Sequence, residues 1–216
     1  MSPAVTLYLA TTNAGKLRDF AVAAEAYANK FEFAALPEIE SIPPPPEDAA
    51  TFEENARLKA IGYSQHAAGW IVLADDSGLE VDALNGAPGV RSARYATDAK
   101  FDLRGFSADE HNNNFLLENL RGVPVTERTA RYCCALAAAR DGECIALGQG
   151  MVEGIILEAP RGGGGFGYDP LFYLPELART MAEISLEEKL RISHRGQALG
   201  ALLEEISHTQ AFSQYL

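Results

Sequence analysis

Cysteine, positive charge and long apolar runs are all scarce in this sequence, and each scarcity excludes something. The three cysteines, Cys133, Cys134 and Cys144, do not make a disulfide framework. Cys133 and Cys134 are adjacent and so face opposite sides of a strand. An Asp141-Gly142 turn between two strands sets Cys144 opposite Ala139 rather than either of them. The expected compartment is a reducing cytoplasm. Lys and Arg number 18 against 30 Asp and Glu, a formal net charge of −12. Without a broad basic face there is no footing for a nucleic-acid polymer. The acidity serves solubility, and a small anionic ligand would need local cations or a metal. The opening MSPAVTLYLATTNAGK has no basic segment before its apolar run, which is too short for a signal peptide. No stretch reaches the length of a membrane span. The expectation is a soluble, cytoplasmic protein with neither membrane nor nucleic acid as partner.

What is present is an ordinary globular composition, 47% hydrophobic and 22% charged. Residues 1–216 are long enough for one sizeable core, as one domain or as two lobes sharing a sheet. AVTLYLA (4–10) reads as a buried strand, and the Ala-rich segment 16–29 as a helix packed on a sheet. Residues 36–50 hold four consecutive prolines and read as a stiff extended loop. Thr51 and Glu54 form a capping-box pattern that opens a helix to about His66. WIVLA (70–74) is a second apolar strand, and 77–106 reads as loop with short elements. Ser107 and Glu110 open a helix to about Leu120, and 128–139 with 143–158 form a hairpin around Asp141-Gly142. PLFYLP (170–175) is a brief strand, Ser185 and Glu188 open a short helix, and Ser193 caps a last one to about Ile206. Strand, helix and strand alternate first and a long hairpin follows, which predicts an α/β fold with a mixed sheet.

Four segments carry candidate chemistry. TTNAGK (11–16) joins a strand to a helix, where free backbone N–H groups and a lysine suit phosphate. It is not a Walker loop, because Ala10 and Leu17 stand where Gly and Ser or Thr are required. The competing reading is a plain N-capped helix. DDSG (75–78) places two carboxylates side by side at a predicted strand end. Each raises the other's pKa, which a divalent cation would offset, but Asp, Ser and Gly are also turn formers. Adjacent acids do not fit the Asp-x-Asp pair of haloacid-dehalogenase-type phosphatases. GGGGFGYDPLF (162–172) combines close-approach glycines with the aromatic faces of Phe166 and Tyr168 and the acceptor Asp169, or is a surface loop whose aromatics pack inward. SHRGQAL (193–199) sets His194 and Arg195 in a helix's first turn, opposing its dipole, so an anionic or carbonyl-rich partner fits there, as does plain solvation. Lys189 lies one short helix earlier. His66, His111 and His208 show no metal spacing.

Taken together and in this order, TTNAGK, ADDSGLEVDALNGAPGVRSARY, GGFGYDPLF and K…SHRGQAL resemble the non-canonical purine nucleoside triphosphate pyrophosphatases, also called inosine triphosphate pyrophosphatases, from Leu9 to Leu203. The resemblance implies an elongated mixed sheet flanked by helices, with two lobes, a central cleft and a homodimer. It implies Mg²⁺-dependent hydrolysis of ITP, dITP and XTP to the monophosphate and pyrophosphate, which clears deaminated purines from the nucleotide pool. Carried over residue by residue, Thr11, Thr12, Asn13, Ala14, Gly15 and Lys16 hold the triphosphate. Asp76 is the catalytic carboxylate and a Mg²⁺ ligand, and Ser77 a substrate contact. Phe166, Gly167, Tyr168, Asp169, Lys189, His194 and Arg195 hold the nucleoside. A second metal ligand comes from the proline loop, among Glu38, Glu40 and Glu47, with Glu47 nearest the helix start. Asp75 is a supporting acid. A pyrophosphatase for other nucleotides and a nucleotide sensor without turnover are the rival readings.

Overall fold

The computed structural model describes residues 5–101 and 105–208; residues 1–4, 102–104 and 209–216 and the side chain of Leu190 lie outside the described residues. Ala4 of the expected first strand and part of the expected 77–106 loop fall there. In chain order the elements are β1 (Val5–Leu9), α1 (Ala14–Glu25), β2 (Phe31–Ala35), α2 (Phe52–Ser64), β3 (Ile71–Val81), α3 (Tyr95–Asp98), α4 (Ala108–Asn119), β4 (Thr129–Arg140), β5 (Glu143–Ile156), β6 (Phe172–Leu174), β7 (Arg179–Thr180), α5 (Leu186–Ile192) and α6 (His194–His208). The strands form one seven-stranded sheet in the order β2-β1-β3-β4-β5-β6-β7. β1 runs parallel to β2 and β3, while β6 is antiparallel to β5 and β7. The expected mixed α/β sheet is the one observed.

The chain divides into two compact units. The first comprises Met1–Asp76, Cys134–Met151 and Leu190–Leu216, the second Ser77–Cys133 and Val152–Lys189. In the first unit, strand alternation sorts side chains onto two faces. Leu7, Leu9, Ile71, Leu73, Cys134 and Leu136 pack against Phe20, Ala23 and Ala24 of α1 and against Leu199, Leu202 and Leu203 of α6. Val72, Ala74, Ala135 and Ala137 pack on the other face against Ala56 and Ala60 of α2. α6 approaches β5 at two glycines. A Cβ at Gly148 would overlap the Ala198 carbonyl, and one at Gly150 would overlap the His194 carbonyl and come within 2.6 Å of Ala198 N. The position of His194 and Arg195 therefore depends on two missing side chains of β5.

In the second unit, Leu79, Val81, Leu116, Leu120, Leu171 and Phe172 are buried, and the Tyr132 and Phe172 rings stack at 4.4 Å. α4 begins with a full capping box between Ser107 and Glu110. The buried Arg128 closes its other end, donating from Nη2 to the Leu120 carbonyl at 3.0 Å and from Nε to the Val123 carbonyl at 2.9 Å.

Four elements differ from the sequence reading, one of them the two-residue strand β7, which was not expected. α1 starts two residues earlier than residue 16 and stops at Glu25, because the chain turns through residues 26–30 to enter β2. β2 itself was not expected: FEFAA is five residues long, follows an Ala-rich helix and pairs as an edge strand along β1. β3 does not end at Ala74 but runs eleven residues to Val81, so DDSG lies inside a strand and is not a turn. The reason is alternation. Asp75 continues the face of Ile71 and Leu73, and Asp76 the face of Val72 and Ala74, so the neighbouring carboxylates point apart. Gly78 then fits beneath the 89–92 turn, where a Cβ would lie 2.6 Å from the Gly89 carbonyl oxygen. Next to it the Leu79 N–H donates to Ser92 Oγ at 2.8 Å.

Gly150→Ala should destabilise the protein by about 1–3 kcal/mol, since backbone atoms of α6 cannot step aside as a flexible side chain would. Urea denaturation checks this, and an unchanged midpoint would mean that α6 shifts away from β5 without cost.

Candidate active site

The TTNAGK turn is built as an N-cap. Asn13 Oδ1 accepts the N–H groups of Gly15 at 2.8 Å and Lys16 at 3.1 Å, and Thr11 Oγ1 accepts that of Asn13 at 3.2 Å. The N–H groups expected to await an anion are therefore engaged, at Gly15 and Lys16, by the Asn13 side chain. What the turn does achieve is to set Lys16 in the first turn of α1, its Nζ 2.8 Å from Asp75 Oδ2. Asp75 is 2% exposed. Burial acts to raise its carboxyl, and the charges of Lys16, Arg195 and Lys59 outweigh it and hold the group at about 2. Arg195 is itself buried at the start of α6, with Nη1 2.9 Å from Asp19 Oδ2 of α1. The anionic partner expected for a cation at a helix N-terminus is thus supplied, for Arg195, from within the protein. His194 beside it is 2% exposed. Asp19 escaped the sequence reading, although its spacing of three residues from Lys16 puts both on one face of α1.

On the other face of β3, Asn55 Nδ2 donates to Asp76 Oδ2 at 2.9 Å. Lys59 Nζ lies 3.4 Å from Asp76 Oδ1 and 3.2 Å from Glu47 Oε1. Burial raises the Asp76 carboxyl, and Lys59 and Asn55 offset only part of that. Burial works against the Lys59 ammonium, but Asp75, Asp76 and Glu47 together raise its pKa. Among the three loop acids Glu47 is the one joined to Asp76 in this way. Glu38 stands in a left-handed conformation ahead of the Ile39–Ser41 turn that contains Glu40. Asn55 and Lys59 were also missed. Their signal was available: TFEENARLKA sets two polar residues four apart on the helix side that buries Ala56 and Ala60.

No group of three or more His, Cys, Asp or Glu suited to a metal occurs among the described residues. Asp76 and Glu47 nevertheless converge on one cation position, now held by the Lys59 ammonium. Two carboxylates suit Mg²⁺, which binds through one or two carboxylates and completes its shell with water and phosphate oxygens.

In the second unit the glycine loop is organised by a buried aspartate. Asp169 Oδ2 accepts the Phe166 N–H at 3.0 Å and pairs with Lys189 Nζ at 2.7 Å, while Oδ1 accepts the Tyr132 hydroxyl at 3.2 Å. A Cβ on Gly165 would collide with this carboxylate. Asp169, expected as an acceptor for a nucleoside, thus spends these contacts on the protein, and it positions Phe166 and Lys189. The Lys189 ammonium lies 5.1 Å from the centroid of the Phe166 ring. Tyr168 is buried and donates its hydroxyl to the Ser92 carbonyl at 2.8 Å, and burial pushes its phenol far up. Ser77 follows Asp76 on β3 and is half-buried.

The model of the Ham1 family matches residues 7–205. This chain belongs to the Ham1 family. A relative from Acidobacterium capsulatum named dITP/XTP pyrophosphatase is 58% identical over 94% of this chain and 98% of its own. Another of the same name from Geobacillus kaustophilus is 48% identical over 92% and 93%. Among solved structures, a HAM1 protein from Coxiella burnetii superposes with a TM-score of 0.78 at 37% identity, covering 95% of this chain and all of that one (100%). In this Ham1 chain, as the geometry shows, the acids of DDSG are separated by the strand and given different cations.

Asp75 should make stability pH-dependent in a defined direction. Its carboxyl is held at about 2 against an ordinary 3.8, so its contribution is complete above the ordinary value and lost as pH falls through the lowered one. Wild type should be more stable than Asp75→Asn by about 2 kcal/mol near pH 6. The two urea midpoints should converge as pH approaches 2, and curves that stay parallel would contradict the assignment.

Proposed function

We propose that this chain is a nucleoside triphosphate pyrophosphatase that hydrolyses ITP, dITP and XTP to the monophosphate and pyrophosphate, removing deaminated purines from the nucleotide pool. The observation that carries the reading is the Asp76–Lys59–Glu47 cluster of the first unit, in which Asp76 and Lys59 are buried and Glu47 is exposed. It occurs in a chain that is 58% identical to a relative named dITP/XTP pyrophosphatase.

The products require water to attack the α-phosphorus while pyrophosphate leaves. Asp76 is the group assigned here to orient that water and take its proton. Asn55 fixes Asp76 by donating to one oxygen and leaves the other toward Lys59. Lys16, steadied on Asp75, keeps further ammonium donors for phosphate oxygens. Thr11, Thr12 and the Asn13-capped turn shape the approach for the phosphate chain. Asp76 and Glu47 would hold Mg²⁺, and the ion would supply charge neutralisation on the phosphate oxygens.

For the base, the second unit offers the Phe166 ring and the Lys189 ammonium, with Ser77, Gly167 and Tyr168 completing the set. Hypoxanthine and xanthine carry a carbonyl at C6, whereas adenine carries an amino group. A donor-only lysine satisfies the first and leaves the second facing a donor. Rejection by unpaired polar groups can reach roughly 10⁴-fold. His194 and Arg195 belong to the same proposal, with Asp19 fixing the guanidinium. The proposal also includes a cytoplasmic location, supported by three cysteines without a disulfide, and a homodimer, supported by the family resemblance. Among the described residues no helix is long and apolar enough to cross a membrane.

Pyrophosphate release measured with ITP, dITP, XTP, GTP and ATP, with and without Mg²⁺, should show turnover of the first three, dependent on the ion. Equal rates on ATP, or ITP binding without release, would overturn the reading. Asp76→Asn should lower kcat by about 10²–10⁴ at saturating Mg²⁺, and near-wild-type turnover would remove Asp76 from its role.

A further inference from the structure

The run DEHNNN (109–114) contains three consecutive asparagines inside a helix, where asparagine is a poor former. Their contacts explain two of them. Asn112 is buried, accepting the Ala96 N–H at 2.9 Å and donating to the Ala93 carbonyl at 3.1 Å. Asn113 Nδ2 donates to the carbonyl of Gly167 at 2.9 Å, and one helical turn earlier Asp109 Oδ2 accepts the N–H of that same glycine at 2.7 Å. Asp109 and Asn113 stand four residues apart and so share a face of α4. Together they grip both polar groups of a single residue in the glycine loop. That residue has a left-handed φ of 62° and lies between Phe166 and Tyr168.

Helix stability does not account for this grip. Asn113 Oδ1 is buried with no hydrogen-bond partner among the described residues, a state that works against folding. An apolar side chain would fill the space without that penalty. What the amide adds is its bond to Gly167. Nor is a Cβ excluded at Gly167 by crowding, since nothing lies within 4 Å of where one would stand. The left-handed backbone is held from outside by α4, while Asp169 holds the preceding peptide at Phe166 N. The backbone at Phe166 is thereby held by two clamps, one on each side of its own residue.

We infer that Asp109 and Asn113 are positioning residues for the nucleobase: by fixing the Gly167 peptide they hold the Phe166 face in the orientation a purine stacks on. The inference rests on the function proposed above. Neither residue touches the groups assigned to phosphate chemistry, so their loss should weaken substrate binding and spare turnover. In steady-state pyrophosphate release from ITP with Mg²⁺, Asp109→Ala and Asn113→Leu should raise KM about 3- to 10-fold, the effect of one or two lost hydrogen bonds. Their kcat should stay near wild type. Asp109→Asn keeps an acceptor for the Gly167 N–H and should restore KM. Hydrogen exchange across residues 165–168 should quicken in the first two variants and not in the third. Asp109 lies in the exposed first turn of α4, so its variants carry the test even where Asn113→Leu does not fold. Wild-type turnover of ITP combined with an unchanged KM, or an unchanged loop exchange, in Asp109→Ala overturns the inference while leaving the proposed function in place. A wild type without ITP turnover overturns both.

Discussion

Two neighbouring residues on a β-strand point to opposite sides of the sheet, and the first unit of this protein depends on that fact. Asp75 and Asp76 would repel if they shared a turn. Because β3 continues through them, each enters a separate environment: Asp75 meets Lys16 from α1 under the charge of Arg195, and Asp76 meets Asn55 and Lys59 from α2. The helices on the two faces are thus tied to one strand by ion pairs as well as by apolar packing. The two carboxyls also acquire different characters. One is held strongly ionised, and the other is moved toward the range where it can exchange a proton.

Much of this was legible in the residues. The capping patterns at Thr51, Ser107 and Ser185 each open a helix, and Asp141-Gly142 makes the turn of the long hairpin, because these signals are local. The reading failed where the deciding contact is distant in sequence. DDSG looked like a turn because a strand interior is a poor place for two acids, and the lysines that make it tolerable lie sixteen or more residues away. Helical spacing groups Asn55 with Lys59 and Asp19 with Lys16, but what these residues do is decided by what faces them across the sheet or an adjoining helix. In the sequence only nearness to the helix start sets Glu47 above Glu38 and Glu40, since a proline-rich loop has no period to measure against.

The glycine loop teaches a related lesson about polar residues. Asp169 and Lys189 both looked like ligand contacts, and the first relation they show is to each other. A buried carboxylate that accepts from a backbone amide, a phenol and an ammonium fixes the parts around it. Two of the groups it fixes, the Phe166 backbone and the Lys189 ammonium, belong to residues assigned to the base in the function proposed above. The loop is braced as a whole more than through any single side chain.

The ion pairs of the first unit have a consequence in the sign of the local charge. Asp19, Glu47, Asp75 and Asp76 are balanced by Lys16, Lys59 and Arg195, so four negative groups face three positive ones and the set is left with one negative charge. A polyphosphate approaching it alone meets a field of its own sign. A divalent cation added to the same set turns the balance to one positive charge, and the field then draws the polyphosphate in. In the function proposed above, such a charge balance would make the cluster receive ion and anion each better in the other's company than alone.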